Sequence, residues 1–207
     1  WRIEKRNKST GNLCSSTTNC VAGAFNTNGY IVNTQTSDGT VYSITTDGDY
    51  VYIAGSENSW YDWRIEKRNK STGNLCSSTT NCAAGAFDTD GVITASNTSI
   101  GYVYSIITDG DYVYIAGDEN NGVDWRIEKR NKSTGNLCSS TTNCASGAFD
   151  TDGVIQASDT GSGFANSITT DGDYVYIAGV GNDSQDWRIE KRNKTTGDLM
   201  NAGQLYP

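Results

Sequence analysis

The fold is decided by the block SIITDGDYVYIAG, which runs from Ser105 to Gly117. Both halves of the block are rich in β-branched and aromatic residues, and the sequence DGD, Asp109 to Asp111, separates them. Such runs on either side of an Asp-Gly turn are typical of a β-hairpin. No stretch of the chain has the 3.6-residue apolar period of an amphipathic helix, so the sequence predicts an all-β protein.

The hairpin block is part of an internal repeat. A second block, WRIEKRNK, occurs four times at intervals of 62 residues, starting at Trp1, Trp63, Trp125 and Trp187. This period defines three repeats and a partial repeat or terminal strand, over 1–62, 63–124, 125–186 and 187–207. The copies differ mainly in two loops rich in Ser, Asn, Asp and Gly, which are 32–42 and 56–62 in the first repeat.

Each repeat is predicted to contain four strands, placed in the first copy at 29–33, 41–46, 50–55 and 63–69. Alternation puts tyrosines on one face of the third strand and Val51 and Ile53 on the other. In the fourth strand, one face carries a charged row formed by Arg64, Glu66 and Arg68. We expect these charges to form ion-pair ladders between adjacent sheets, with most strands buried on both faces.

Four strands in a repeated unit are typical of the blades of a β-propeller, and a β-solenoid of stacked sheets is the alternative. The order GAFDTDGVI, YSIITDGDYVYIAG and DWRIEKRNKSTGNL over 85–137 resembles the delta-60 repeat, a bacterial and archaeal β-propeller repeat family. The resemblance covers nearly the whole chain. Two features depart from the family pattern. One is the CSSTTNC insertion, and the other is the Phe-Asn or Phe-Asp pair that stands where the family has Phe-Gly. The resemblance implies a propeller fold and no particular activity.

The number of blades is too small for an ordinary closed ring, which takes roughly four to eight. The chain supplies three complete strand sets and one extra WRIEKRN strand at 1–7, which is expected to be unpaired. Three hypotheses follow: the chain is a portion of a longer one, several chains complete a ring, or chains associate head to tail. In the last case the extra strand completes a blade in the neighbouring copy, and a rotation that does not close gives a filament.

Composition excludes several functions. The chain has no His, which removes Ser-His-Asp and Cys-His nucleophiles and imidazole metal ligands. The net charge of −8 argues against nucleic acid as a partner, and no run of residues is apolar enough to span a membrane. Paired carboxylates could serve a glycosidase, but they recur in every repeat, whereas a catalytic centre normally breaks repeat symmetry. We therefore expect no enzyme and no required cofactor.

Six cysteines recur with one spacing, as Cys14/Cys20, Cys76/Cys82 and Cys138/Cys144. An even count at a repeated spacing predicts three local disulfides, each closing a small polar loop. Free thiols or a metal site are the alternatives, although two cysteines per repeat without histidine provide few ligands. Disulfides favour an extracellular or cell-surface protein. The sequence begins at Trp1, so we expect no targeting segment within it, although a precursor could have lost one.

Three further kinds of site are candidates. The glycosylation sequons have their asparagines at Asn7, Asn69, Asn131, Asn193, Asn97 and Asn182. Two D-x-D-G sequences resemble half of a calcium loop, with carboxylates at Asp88, Asp90, Asp150 and Asp152, although turn formation is the simpler explanation. One variable loop carries Trp60 and Tyr61, an aromatic pair suited to a carbohydrate.

These features together favour a secreted structural repeat protein, disulfide-bonded and glycosylated, that assembles head to tail into a surface filament or matrix. Its expected partners are further copies of itself, and glycans in addition. The alternative is a glycan- or protein-binding propeller module of a cell-surface adhesin that uses the variable loops. Loops rich in aromatic residues would favour binding, and these loops carry few.

Overall fold

The protein is an all-β array of stacked antiparallel sheets. The computed structural model describes residues 1–21, 23–32, 39–57, 62–95, 101–157, 162–181 and 185–200. Within these ranges the chain forms thirteen strands and no helix. Nothing in the described part therefore forms a helix that is long and apolar enough to cross a bilayer.

Two complete four-stranded sheets lie in the middle of the array. Sheet 2 has the order β3-β4-β5-β6, with bounds Thr40–Thr46, Tyr50–Glu57, Asp62–Asn69 and Val92–Ala95. Sheet 3 has the order β7-β8-β9-β10, with bounds Val103–Asp109, Tyr112–Glu119, Asp124–Asn131 and Val154–Ala157. Each is a meander in which strands that follow one another along the chain are neighbours.

An incomplete sheet lies at each end of the array. Sheet 1 pairs only β1 (Arg2–Glu4) with β2 (Tyr30–Val32). Sheet 4 has the order β11-β12-β13, with bounds Phe164–Thr170, Tyr174–Gly181 and Asp186–Asn193. Relative to the complete sheets, sheet 1 has the third and fourth strands and sheet 4 has the first, second and third.

The four strand positions agree with the sequence prediction, but two details of the predicted repeat unit are wrong. The short Gly-Val-Ile strand closes the preceding sheet instead of opening its own, because Ile93 pairs with Ile65. The first WRIEKRN copy is not unpaired, since Ile3 in β1 pairs with Ile31 in β2. A period of 62 residues sets the length of a repeat, but it does not say where a sheet begins.

The core lies between the sheets. The face of sheet 2 that carries Trp63 and Ile65, here called the Trp face, packs against the face of sheet 3 that carries Val113 and Ile115, the Val face. The same contact recurs between sheets 3 and 4 and, in part, between sheets 1 and 2. Sheet 3 is therefore buried on both faces, as the alternation of residues predicts, and sheet 2 is buried on its Trp face and in part on its Val face.

A glycine in the second strand of sheets 3 and 4 allows this close approach. A Cβ atom at Gly117 would lie 2.7 Å from the ring of Trp63 and 2.0 Å from the carbonyl oxygen of Tyr102. Gly179 stands in the same relation to Trp125. In sheets 3 and 4 the tryptophan of the preceding sheet thus packs directly on the glycine of YVYIAG.

Candidate functional site

The contact between neighbouring sheets is the feature that the chain repeats most faithfully, and polar groups fix its register. The indole Nε1–H of Trp63 donates to the carbonyl of Asp118 at 3.1 Å, and that of Trp125 donates to the carbonyl of Val180 at 2.8 Å. The guanidinium of Arg188 lies 5.6 Å from the ring centre of Trp125. Each tryptophan is therefore held by shape, by a hydrogen bond and by a cation–π contact.

A buried lysine makes a second link between sheets. The ammonium group of Lys67 donates to the carbonyl of Lys132, in the turn after the next WRIEKRN strand, at 2.9 Å, and lies 4.2 Å from the ring centre of Tyr50. Burial lowers the pKa of Lys67 to about 8, and Lys129 has the same contacts and a pKa lowered by burial to about 8. Both amines are enclosed in the sheet contact, which makes them structural groups and not exposed nucleophiles.

The same WRIEKRN sequence is buried on opposite faces at the two ends of the array. In β1, Ile3 is buried while Arg2 and Glu4 are exposed. In β13, Arg188 and Glu190 are buried, whereas Trp187 is 72% exposed and Ile189 is 38% exposed. The Trp face of sheet 4 therefore has no covering sheet among the described residues, and an open hollow of about 310 Å³ lies over it.

At the opposite end of the array, a Val face is incompletely covered. Sheet 1 contains two strands, so it covers only part of the Val face of sheet 2, and Ile44 of β3 is 52% exposed. A groove of about 350 Å³ lies beside β1, and its lining includes Ile3, Ile44 and Val51. One end thus has a Trp face that no described sheet covers, and the other has a Val face that is incompletely covered.

Ion pairs stabilise the charged row within each sheet, so the prediction of ladders between sheets is wrong for this row. Glu128 accepts from Arg126 at 2.5 Å and from Arg130 at 2.6 Å, both on its own strand. Successive residues of one face lie side by side along a strand, which brings these groups together without a second sheet. Burial opposes ionisation of Glu128, but the two arginines outweigh it and hold the pKa of the carboxyl below its usual range.

One buried carboxylate interrupts the repeat. Asp118 is 0% exposed, and the equivalent positions hold uncharged residues, Ser56 and Val180. Its Oδ1 accepts from the backbone N–H of Tyr102, and its Oδ2 has no hydrogen-bond partner among the described residues. Burial raises the pKa of Asp118 to about 7. No motif marks Asp118 in the sequence, and its signal is an acid at a position that is neutral in the other copies.

All three expected disulfides are present, as Cys14–Cys20, Cys76–Cys82 and Cys138–Cys144. The six sulfur-bearing side chains are buried in the inter-sheet cores next to a phenylalanine, for example Phe87. The CSSTTNC loop of each copy, closed by its disulfide, therefore covers one end of a core cluster.

The repeated sequons form half-buried turns. In the second copy, Oδ1 of Asn69 accepts from the backbone N–H groups of Ser71 and Thr72, while Nδ2 donates to the carbonyl of Asn81 at 3.0 Å. Asn7 and Asn131 have the same contacts. Asn193 caps the same kind of turn but is not followed by a disulfide loop. Asn97 and Asn182 lie outside the described residues.

The D-x-D-G sequences also lie in turns. Asp88 and Asp150 have positive φ angles of 54° and 53°, a backbone conformation that Asp tolerates. Asp90 and Asp152 accept from the backbone N–H groups two residues further along the chain. In the described part of the chain, no group of three or more potential metal ligands forms around these turns.

The variable loops are described only in part, and Trp60 and Tyr61 lie outside the described residues. A different aromatic group lies at the start of the first strands. Tyr42, Tyr104 and Phe164 form a strip across sheets 2, 3 and 4, with ring centres 5.8 and 6.0 Å apart. The repeat does not predict this strip, because Tyr42 and Tyr104 are equivalent but their equivalent in the third copy is Asn166, and Phe164 comes from a different repeat position.

Comparisons with known proteins do not identify a family for this chain. No protein-family model matches the sequence, and no curated protein is significantly similar to it.

Proposed function

We propose that the protein is a non-enzymatic structural repeat protein of the extracellular surface, whose copies associate head to tail into a filament or matrix. In this association the Trp face of sheet 4 in one copy docks on the N-terminal sheets of the next copy. The partner is thus a second copy of the same chain, and the function is to build an extended array of equivalent sheets.

The observation that carries this proposal is the exposure of Trp187. The two tryptophans at equivalent positions in sheets 2 and 3, Trp63 and Trp125, are 0% exposed against a Val face. The sequence around them, DWRIEKRN, is the same as around Trp187. A surface that is built twice inside the chain as an interface is suited to the same contact between chains.

An extracellular location is part of the proposal. Three disulfides are typical of proteins that fold in an oxidising compartment, and the sequons suit a secreted glycoprotein. The resemblance to the delta-60 repeat supports the blade-like architecture, and membership of that family remains a prediction.

Sedimentation velocity over a range of protein concentrations tests the association. We expect the wild-type chain to form species larger than 22.3 kDa as concentration rises, and Trp187→Asp to remain a monomer. Val123→Asp is the matched control, because Val123 is exposed but lies in a loop away from the end faces. A wild-type chain that stays monomeric at every concentration would contradict the proposal, as would equal effects of the two substitutions.

The aromatic strip favours the second candidate, a glycan-binding module of an adhesin. Tyrosine rings combine an apolar face with a polar hydroxyl group, which suits contact with sugars. Calorimetric titration of the Trp187→Asp variant with a panel of oligosaccharides tests this candidate. Binding that Tyr104→Ala removes would support it, and heats at the buffer baseline for the whole panel would oppose it.

A further inference from the structure

We propose that the head-to-tail association is a strand exchange, in which β13 of one copy replaces β1 in the next copy. This inference deepens the proposed function and rests on it. In the exchanged state β13 pairs with β2 of the next copy, and Trp187 takes the place that Trp1 holds in the isolated chain.

The two strands that exchange are chemically equivalent. Both are WRIEKRN, and β1 pairs with β2 in the register Ile3 with Ile31. In sheet 3 the WRIEKRN strand, β9, pairs with the fourth strand, β10, in the same register, Ile127 with Ile155. β13 has no fourth strand among the described residues. β2 of another copy is therefore the strand that sheet 4 lacks.

The β1 strand packs less closely on sheet 2 than the WRIEKRN strands of sheets 2 and 3 pack on the sheets that follow them. At Gly55, the counterpart of Gly117, the three nearest atoms to a Cβ belong to the backbone of β3, with none from a tryptophan. A small hollow lies between Trp1 and Gly55, and among the described residues Trp1 makes no indole hydrogen bond to the sheet that it covers. Trp63 and Trp125 make that bond and sit directly on their glycines.

The exchange buries apolar surface at both ends of the array. When β13 enters, β11 and β12 come with it and provide the two strands that sheet 1 lacks. These strands would fill the groove beside β1 and cover Ile44. The Trp face of sheet 4 would at the same time rest on the Val face of sheet 2 in the next copy. Since one WRIEKRN strand replaces another, the pairing with β2 is conserved and the new burial favours the exchanged state.

β1 therefore acts as a cap that closes the first sheet of the isolated chain. Association requires this cap to leave, so the stability of the β1–β2 pair controls how readily copies add to one another. This control is built into the fold and needs no ligand.

Two double-cysteine variants that share one substitution test the exchange. Ile3→Cys with Ile31→Cys tethers β1 to its own β2, and Ile31→Cys with Ile189→Cys places positions 31 and 189 opposite each other only between two copies in the exchanged register, a linkage that peptide mapping distinguishes from one between two positions 189. We expect the tether to raise the concentration needed for association by at least about tenfold. We expect the second pair to give covalent multimers on a non-reducing gel.

Single Ile31→Cys is the control for the loss of the buried isoleucine, and peptide mapping checks that the three native disulfides are intact. A tethered chain that associates like the wild type, together with no disulfide between copies of the Ile31→Cys, Ile189→Cys variant, would overturn the exchange and leave head-to-tail docking standing. A wild-type chain that never associates would overturn both proposals.

Discussion

The tryptophans of the WRIEKRN strands allow a matched test of the inter-sheet contact. Trp125 is 0% exposed, and its indole N–H donates to the carbonyl of Val180 at 2.8 Å. Trp187 occupies the same place in an identical local sequence but is 72% exposed. Substitution of each residue by alanine changes the same side chain on the same strand type, and only the covering sheet differs.

The expected free energies of unfolding follow from burial. Truncating a buried tryptophan to alanine costs about 3–5 kcal/mol, and the lost hydrogen bond adds about 1 kcal/mol. Trp125→Ala should therefore remove a large share of the roughly 5–15 kcal/mol that stabilises a typical domain. Trp187→Ala should change the stability of the isolated chain by no more than about 0.5 kcal/mol.

Urea unfolding followed by far-ultraviolet circular dichroism measures both effects without relying on tryptophan fluorescence. The protein concentration is kept where sedimentation shows a monomer, so that association does not contribute to stability. For Trp125→Ala we expect either an unfolding transition at lower urea concentration or a separate early transition in which sheet 4 unfolds first. In a repeat array each unit contacts only its neighbours, so a weakened contact can release one unit alone. Equal shifts for the two variants would refute the assignment of Trp187 to an uncovered face.

Three further predictions concern charge and covalent links. Glu128→Gln should destabilise the chain by about 3–5 kcal/mol because it removes the buried carboxylate that pairs with both Arg126 and Arg130, whereas Glu4→Gln, in an exposed copy of the row, should have a much smaller effect; urea unfolding compares them. Asp118 has a pKa of about 7 in the folded chain against 3.8 as its ordinary value, so the folded state binds the extra proton between these values. Stability should then fall as pH rises through this window, by at most about 1.4 kcal/mol per pH unit, and Asp118→Ser should flatten that slope in thermal unfolding from about pH 4 to 8. Replacing Cys76 and Cys82 together by alanine should lower the free energy of unfolding by roughly 2–3 kcal/mol, and a change within error of zero would show that the small loop is ordered without its disulfide.

The sequence was sufficient to predict the strands, their faces and the disulfides. Alternation along WRIEKRN separates Trp63 and Ile65 from the charged row, and the structure places the two sets on opposite faces. The even count and repeated spacing of the cysteines predicted the disulfides, and the structure places the Cα atoms of Cys76 and Cys82 5.2 Å apart, within the range that a disulfide needs. These features depend on residues that are close together in the sequence, so the repeated pattern is enough to predict them.

Features that depend on the ends of the array could not be predicted from the repeat. Trp1 and Trp187 begin identical segments, so no local pattern indicates that one covers a neighbouring sheet and the other is exposed. The assignment of the Gly-Val-Ile strand to the preceding sheet depends on long-range pairing, as does the contact of Lys67 with a carbonyl 65 residues away. Both follow from the stacking of sheets, which the period alone does not specify.

Head-to-tail association through exchanged strands predicts a particular spacing between copies. In the exchanged register β13 and β1 of successive copies occupy the same place, so each copy adds three sheets. Packed sheets lie about 10 Å apart, which gives an advance of roughly 30 Å per copy. Simple end-to-end stacking of all four sheets would give roughly 40 Å instead.

Electron microscopy of the unreduced protein at high concentration tests this account most directly. We predict fibres with an axial subunit repeat of roughly 30 Å, the thickness of three packed sheets, and no fibres from Trp187→Asp. A closed ring built through the same contact would overturn the filament and retain the interface. Isolated 22.3 kDa particles at every concentration would show that the two ends of this chain do not bind each other.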